Sequence, residues 1–173
     1  MSILNLVYAP ATVLEKKAHE VKNIDKSLKS FVNNMFDTMY KNNGVGLAAP
    51  QVNESLQVIV MDCSSKNKES NPRVLLNPKI INQSDTCKEY EEGCLSFPDH
   101  YFSISRPDSL NVKFLDLEGN KKETFFSGFE AVCVQHEIDH LSGTLFTSYI
   151  SRLKRQIILK KMQKFKKNIN KSI

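Results

Sequence analysis

An α+β fold is predicted from three observations: strand-like segments fill the middle of the chain, helical segments lie towards both ends, and one helix follows directly on a β-hairpin. The 173 residues are the length of one ordinary domain and enough to bury a core. Residues 1–150 are expected to form a single catalytic domain, and residues 151–173 a basic amphipathic helix belonging to the same domain.

The elements are read in order. Leu28, Phe31, Val32, Met35, Phe36 and Met39 make one apolar stripe at helical spacing, so Lys26 to Tyr40 reads as a helix. Asn42 to Gln51 loses that period and carries Gly44, Gly46 and Pro50, so it reads as a loop. Leu56 to Met61 is apolar and β-branched and reads as a strand. Arg73 to Ile81, with Pro72 before it and Pro78 inside it, is expected to be a short strand or an edge strand, because proline cannot donate to a ladder. Leu110 to Leu117, the turn residues Glu118-Gly119-Asn120, and Lys121 to Ser127 form a hairpin pattern. Phe129 to Leu141 is a helix stopped by Ser142-Gly143, and a last helix runs from about Tyr149 to Asn168.

Composition is close to the globular average, with 40% hydrophobic and 25% charged residues. No run approaches the roughly 18 apolar residues of a membrane span. Met1 to Pro10 resembles neither a signal peptide nor a transit peptide, so a cytoplasmic location is expected. Cys63, Cys87, Cys94 and Cys133 show no CxxC pair and are expected to be thiols. The net charge of +5 is unevenly spread. Ser151 to Ile173 holds nine Lys and Arg and no acid, while the other 150 residues hold 15 basic and 19 acidic residues and are net −4.

The chemistry is concentrated in His136-Glu137-Ile138-Asp139-His140. Histidines at i and i+4 share one helical face and can reach one ion, and Glu137 beside them can take a proton from a water there. The alternative is a polar helix with solvated histidines, but Val132, Val134, Ile138 and Leu141 argue for burial. A catalytic metal needs a further protein ligand. The position six residues after His140, where one protease class has its third histidine, is Phe146. Cys133 lies roughly 10 Å along the axis from His140, too far for one ion, and suits a pocket wall. Cys94, in Glu91-Glu92-Gly93-Cys94-Leu95-Ser96, is the best-placed candidate; the alternative is a buried structural thiol. Asp139 points away from both histidines, and a cap, a salt bridge or a supporting role all fit it.

Three segments together resemble the peptide deformylase signature: Gly44-Val45-Gly46-Leu47-Ala48-Ala49-Pro50-Gln51, Glu92-Gly93-Cys94-Leu95-Ser96, and Gln135-His136-Glu137-Ile138-Asp139-His140-Leu141. Their order and spacing follow the family along the whole chain. The resemblance implies mostly antiparallel sheets around the HExxH helix, with a C-terminal helix. It also implies an enzyme that removes the N-formyl group from the terminal methionine of nascent polypeptides and releases formate. It further implies that Cys94, His136 and His140 bind one divalent metal ion, usually Fe(II), with zinc, nickel or cobalt as substitutes. Glu137 would be the general acid and base, and Gln51 with the Leu95 amide would hold the oxyanion. Gly46 would hydrogen-bond the substrate backbone, and Gly44, Val45, Leu95, Val132 and Cys133 would shape the methionine pocket. One departure stands out: many bacterial members have arginine where this chain has Tyr101, whereas Arg106 matches a position that looks structural.

Two rival readings are a zinc endopeptidase, which gives no role to Cys94 or to the Gly44–Gln51 segment, and an inactive ribosome-binding relative, which the intact ligand set argues against. For the basic tail, Leu153, Ile157, Ile158, Met162, Phe165 and Ile169 make an apolar stripe amid lysines. It can dock on the body, lie on a membrane surface, or contact ribosomal RNA or proteins near the peptide exit. A monomer without membrane insertion is expected.

Overall fold

The computed structural model describes residues 2–64 and 69–169. The first helix, α1 (Lys26–Lys41), starts where the Asp25 carboxylate accepts the Leu28 amide at 2.8 Å, an N-cap that satisfies one of the helix's free donors. Its stripe is buried at Leu28, Val32, Met35 and Met39, as the spacing predicts.

The sheet strands are β1 (Gly46–Ala48), β2 (Val58–Met61), β3 (Arg73–Gln83), β4 (Cys87–Cys94), β5 (Phe97–Pro107), β6 (Ser109–Leu115) and β7 (Lys121–Ser127). Five form an antiparallel sheet in the order β1-β2-β3-β6-β7, while β4 and β5 form a separate two-stranded ribbon. Helix α2 (Gly128–Ser142) follows β7 directly. The sheet lies between α1 and α2: Val58, Val60 and Leu76 pack with Val32 and Met39, whereas Ile59, Met61 and Leu75 pack with Val134 and Leu141. With both faces covered, β2 is a continuous apolar run rather than an alternating one.

Two expectations need correction. The Asn42–Gln51 segment is not all loop, because it contains β1 and a 3₁₀ turn over Ala49–Val52. The strand from Arg73 is neither short nor at an edge: β3 has 11 residues and pairs on both sides, with β2 and with β6. The sheet accommodates Pro78 through a register shift between Leu76 and Lys79, with Asn77 in the left-handed region at φ 51°. Asn77 uses that kink to hold Val21, accepting its amide at 2.8 Å and donating to its carbonyl at 2.9 Å. Sequence patterning also missed the β4–β5 ribbon altogether.

The last helix, α3 (Arg152–Ile169), begins three residues later than expected, because Phe146–Tyr149 forms a 3₁₀ turn. Its docked face is Ile158, Leu159, Met162 and Phe165, packed with Leu14, Phe97, Ile104 and Phe146. Leu153 and Ile157 of the expected stripe are 69% and 48% exposed instead. The basic tail's last residues, 170–173, lie outside the described part.

Candidate active site

Helix α2 passes through the middle of the molecule, and nine of its 15 residues are buried. His136 and His140 lie one turn apart, with ring centroids 5.0 Å from each other. Facing them is the end of β4. Cys94 pairs with Phe97, so Leu95 and Ser96 form the tight turn of the ribbon and Cys94 sits at its tip. Its sulfur lies 3.2 Å from His140 Nε2. One ligand atom each from Cys94, His136 and His140 falls within 4.8 Å of the others, the only such group of three or more His, Cys, Asp or Glu residues among the described residues.

This donor set fits a metal ion. A thiolate and two imidazoles are the ligands that borderline and soft divalent metals take. Burial, with His136 and Arg106 nearby, holds the His140 pKa well below its usual value, leaving the neutral imidazole a ligand must be. Around His136, burial opposes the charged form, but hydrogen bonds to Cys94 and Glu92 outweigh it and raise the pKa.

A chain of buried charges fixes His136. Its Nδ1 lies 2.8 Å from Glu92 Oε2, two residues before Cys94. Glu92 is gripped in turn by Arg106, from Nη2 to Oε2 at 3.0 Å and from Nε to Oε1. Arg106 also donates to Asp139 at 2.9 Å and lies over the Tyr149 ring, and the Tyr149 hydroxyl completes the chain to Asp139 at 2.8 Å. Asp139 is thus a salt-bridge partner that acts on the site through Arg106 and Glu92. The Glu92 role escaped sequence reasoning; the signal was an acid two residues before the cysteine, but its partners lie 14 and 44 residues away. Phe146, at the position of the absent third histidine, packs its ring 5.8 Å from His136.

Glu137 is 4% exposed, and its Oε2 has no hydrogen-bond partner among the described residues. Burial pushes its pKa up to about 7, helped by the charges of Glu92 and Asp139 and opposed by His136 and Arg106. A Cβ on Gly46 would stand 2.5 Å from Glu137 Oε1 and 2.9 Å from Cys133 Sγ, so only glycine lets β1 run this close to the carboxylate. Gln51 is held from the opposite side. Its Oε1 accepts the Ala48 amide at 2.9 Å, which turns the NH₂ towards Cys94 Sγ at 3.5 Å.

Gly46, Gln51, Glu92, Cys94, His136 and Glu137 line one cleft of about 510 Å³. Gly44, Val45, Gly93, Leu95, Val132 and Cys133 line it as well. The structure therefore brings together every site residue expected from the sequence. Tyr101 also lines the cleft, its ring occupying the space a Cβ on Gly93 would need.

An HExxH helix, a cysteine from a neighbouring turn, a buried carboxylate and an open cleft define the class as a metal-dependent hydrolase. The family model of polypeptide deformylase matches residues 3–156. A peptide deformylase of Maricaulis maris is 44% identical over 168 residues, covering 97% of each chain. Among solved structures, a peptide deformylase from Ehrlichia chaffeensis superimposes with a TM-score of 0.92 at 36% identity, covering 96% of this chain and 98% of that one. One from Legionella pneumophila gives a TM-score of 0.89 at 43% identity and covers 98% of both. The chain belongs to the polypeptide deformylase family. It is a metal-dependent hydrolase that removes the N-formyl group from newly made polypeptides. No helix among the described residues is long and apolar enough to cross a membrane.

Proposed function

We propose that Cys94, His136 and His140 hold the metal and that Glu137 moves the protons of deformylation. The observation that carries this reading is the convergence of three ligand atoms beside a buried, unpartnered carboxylate. Fe(II) is the proposed ion, with zinc, nickel or cobalt able to replace it. When bound, it polarises the formyl carbonyl and acidifies the attacking water. Cys94 contributes a thiolate, which offsets one positive charge and favours a soft metal but also exposes the site to oxidation.

Glu137 takes the proton of the attacking water and returns it to the leaving amide nitrogen, giving formate and a free amino terminus. A carboxylate whose pKa is lifted towards neutrality suits both halves of that task. Negative charge grows on the formyl oxygen, where the Gln51 NH₂ and the Leu95 backbone N–H stabilise it, at about 3 kcal/mol per donor. Gln51 is preorganised for this, because the Ala48 amide fixes which end of its side chain faces the site. β1 is the edge strand of its sheet, so Gly46 has backbone groups free to pair with an extended peptide. Gly44, Val45, Leu95, Val132 and Cys133 take the methionine side chain.

The test is anaerobic formate release from a formyl-methionyl peptide, before and after chelation and reloading. Replacing Cys94, His136 or His140 with alanine should abolish tight metal binding. Undiminished release by the chelated protein would refute the assignment.

The exposed face of α3 supports a second, separate reading: recruitment of a cytoplasmic monomer to ribosomal RNA or to proteins near the peptide exit. Lys160, Lys164 and Lys167 are exposed on it, while Ile158 and Met162 are core. Cutting the helix would therefore remove core residues, and reversing these three charges is the cleaner test. Ribosome co-sedimentation should fall, with a steep salt dependence; unchanged co-sedimentation at low salt would end the proposal.

A further inference from the structure

The active-site cleft continues beyond Tyr101. Asp99, His100 and Tyr101 line it from one side and, from the other, line a second cavity of about 240 Å³ whose remaining walls are Phe102 and Lys154, Ile157, Ile158 and Lys161 of α3. The shelf between the two is the irregular start of β5. The ladder shifts between Gly93 and Cys94, Asp99 takes a left-handed φ of 63°, and Tyr101 is thrown opposite Gly93. Tyr101 leans over that glycine yet remains 63% exposed, a ring standing at the junction of the two cavities. Ile157 gives the second cavity an apolar wall that is 48% exposed. Lys154 and Lys161 flank it, and neither is in a salt bridge among the described residues.

We propose that this groove between β5 and α3 receives the downstream part of the formylated peptide and favours acidic side chains there. The proposal rests on the deformylase reading above, since it needs the formyl-methionine end seated at Glu137. Continuity supports the choice of occupant: a peptide held along β1 that leaves the cleft past Tyr101 enters this groove. Charge supports the preference, because two ammonium groups face one carboxylate, that of Asp99. Tyr101 stacks on the peptide backbone at the crossing, and Ile157 packs against an apolar portion of the chain. Side chains at this distance from the scissile bond contribute to capture more than to chemistry, so the selectivity should appear in KM and weaken with salt.

The experiment compares kcat/KM for three kinds of substrate: a short formyl-methionyl peptide too short to leave the cleft, longer peptides with a single glutamate walked along the downstream positions, and the same series carrying lysine. The metal-loaded protein and the Lys154→Glu/Lys161→Glu double variant are measured side by side. The native protein should prefer glutamate over lysine at one or two downstream positions by about two- to fivefold at low salt, the size expected of exposed charge pairs. The double variant should reverse that preference while turning over the short peptide as the native protein does. Turnover of the short peptide reports on the deformylase reading by itself, so its failure is distinguishable from failure of the groove. If charge reversal weakens the fold, seen as slower turnover of the short peptide, Lys154→Gln/Lys161→Gln supplies the same contrast, with the preference erased rather than reversed. A native protein indifferent to downstream charge, or variants that keep the native preference, would overturn the proposal.

Discussion

Helices α2 and α3 treat their polar side chains in opposite ways. In α2 nine of 15 residues are buried, and His136 and Asp139 belong to one connected set of hydrogen bonds that also includes Glu92, Arg106 and Tyr149. In α3 two of 18 residues are buried, and most of its basic side chains stand in solvent. A buried charge is tolerable only with its partners in place, so each member of the α2 set has a specific job and its loss is felt individually. Exposed charges act as a sum, so losing one changes little. The same residue chemistry therefore yields precision in one helix and a diffuse field in the other.

The comparison is sharpest at Glu137. Glu137→Gln should retain the metal and lower kcat by about 10²–10⁴-fold, because the side chain keeps its shape but loses its basicity. Metal analysis alongside turnover checks this, and loss of metal would make Glu137 a ligand instead. Arg106→Met comes next. It leaves Glu92 and Asp139 without their shared partner, and a buried charge stripped of its partner costs about 3–5 kcal/mol. Denaturant unfolding of the chelated protein would measure it.

Glu92→Gln should weaken metal affinity by about 10–100-fold, since it alters the group that orients His136. It should also change the acid limb of stability. Burial alone would raise the Glu92 pKa, but hydrogen bonds from His136 and Arg106 more than offset that and lower it. A carboxylate with a depressed folded pKa stabilises the fold above its unfolded pKa of about 4.3, and that contribution is lost as pH falls through the folded value. The variant should therefore lose less stability than the native protein on acidification below about pH 4, and an identical acid limb would count against this. Lys164→Ala should shift stability by no more than about 0.5 kcal/mol, as expected for an exposed side chain on α3. A shift of several kcal/mol would erase the contrast between the helices.

How much of this was legible in the sequence follows from how local each signal is. α1, α2 and the β6–β7 hairpin were readable because their apolar periods and turn residues lie within a few positions of one another. The β4–β5 ribbon was not. β4 reads Cys-Lys-Glu-Tyr-Glu-Glu-Gly-Cys, has one buried residue, and is held by its partner strand rather than by an apolar face. The place of β3 inside the sheet was hidden because a proline inside a bulge looks, in sequence, like a proline that ends a strand. In α3 the stripe was drawn through Leu153 and Ile157, while tertiary packing selected the neighbouring Leu159. At the site, the histidine pair and Glu137 announced themselves through helical spacing. Cys94 became compelling only through family resemblance, and Glu92 not at all, since its importance arises from contacts made across the fold.

The central claim is that a thiolate from the β4 turn and two imidazoles from α2 bind a single metal. X-ray absorption on the metal-loaded protein, prepared without oxygen, tests it directly. The account predicts one sulfur at about 2.3 Å together with nitrogen or oxygen neighbours at about 2.0–2.2 Å, and loss of the sulfur shell in Cys94→Ala. A spectrum without sulfur in the native protein, or one unchanged by the Cys94 substitution, would contradict it.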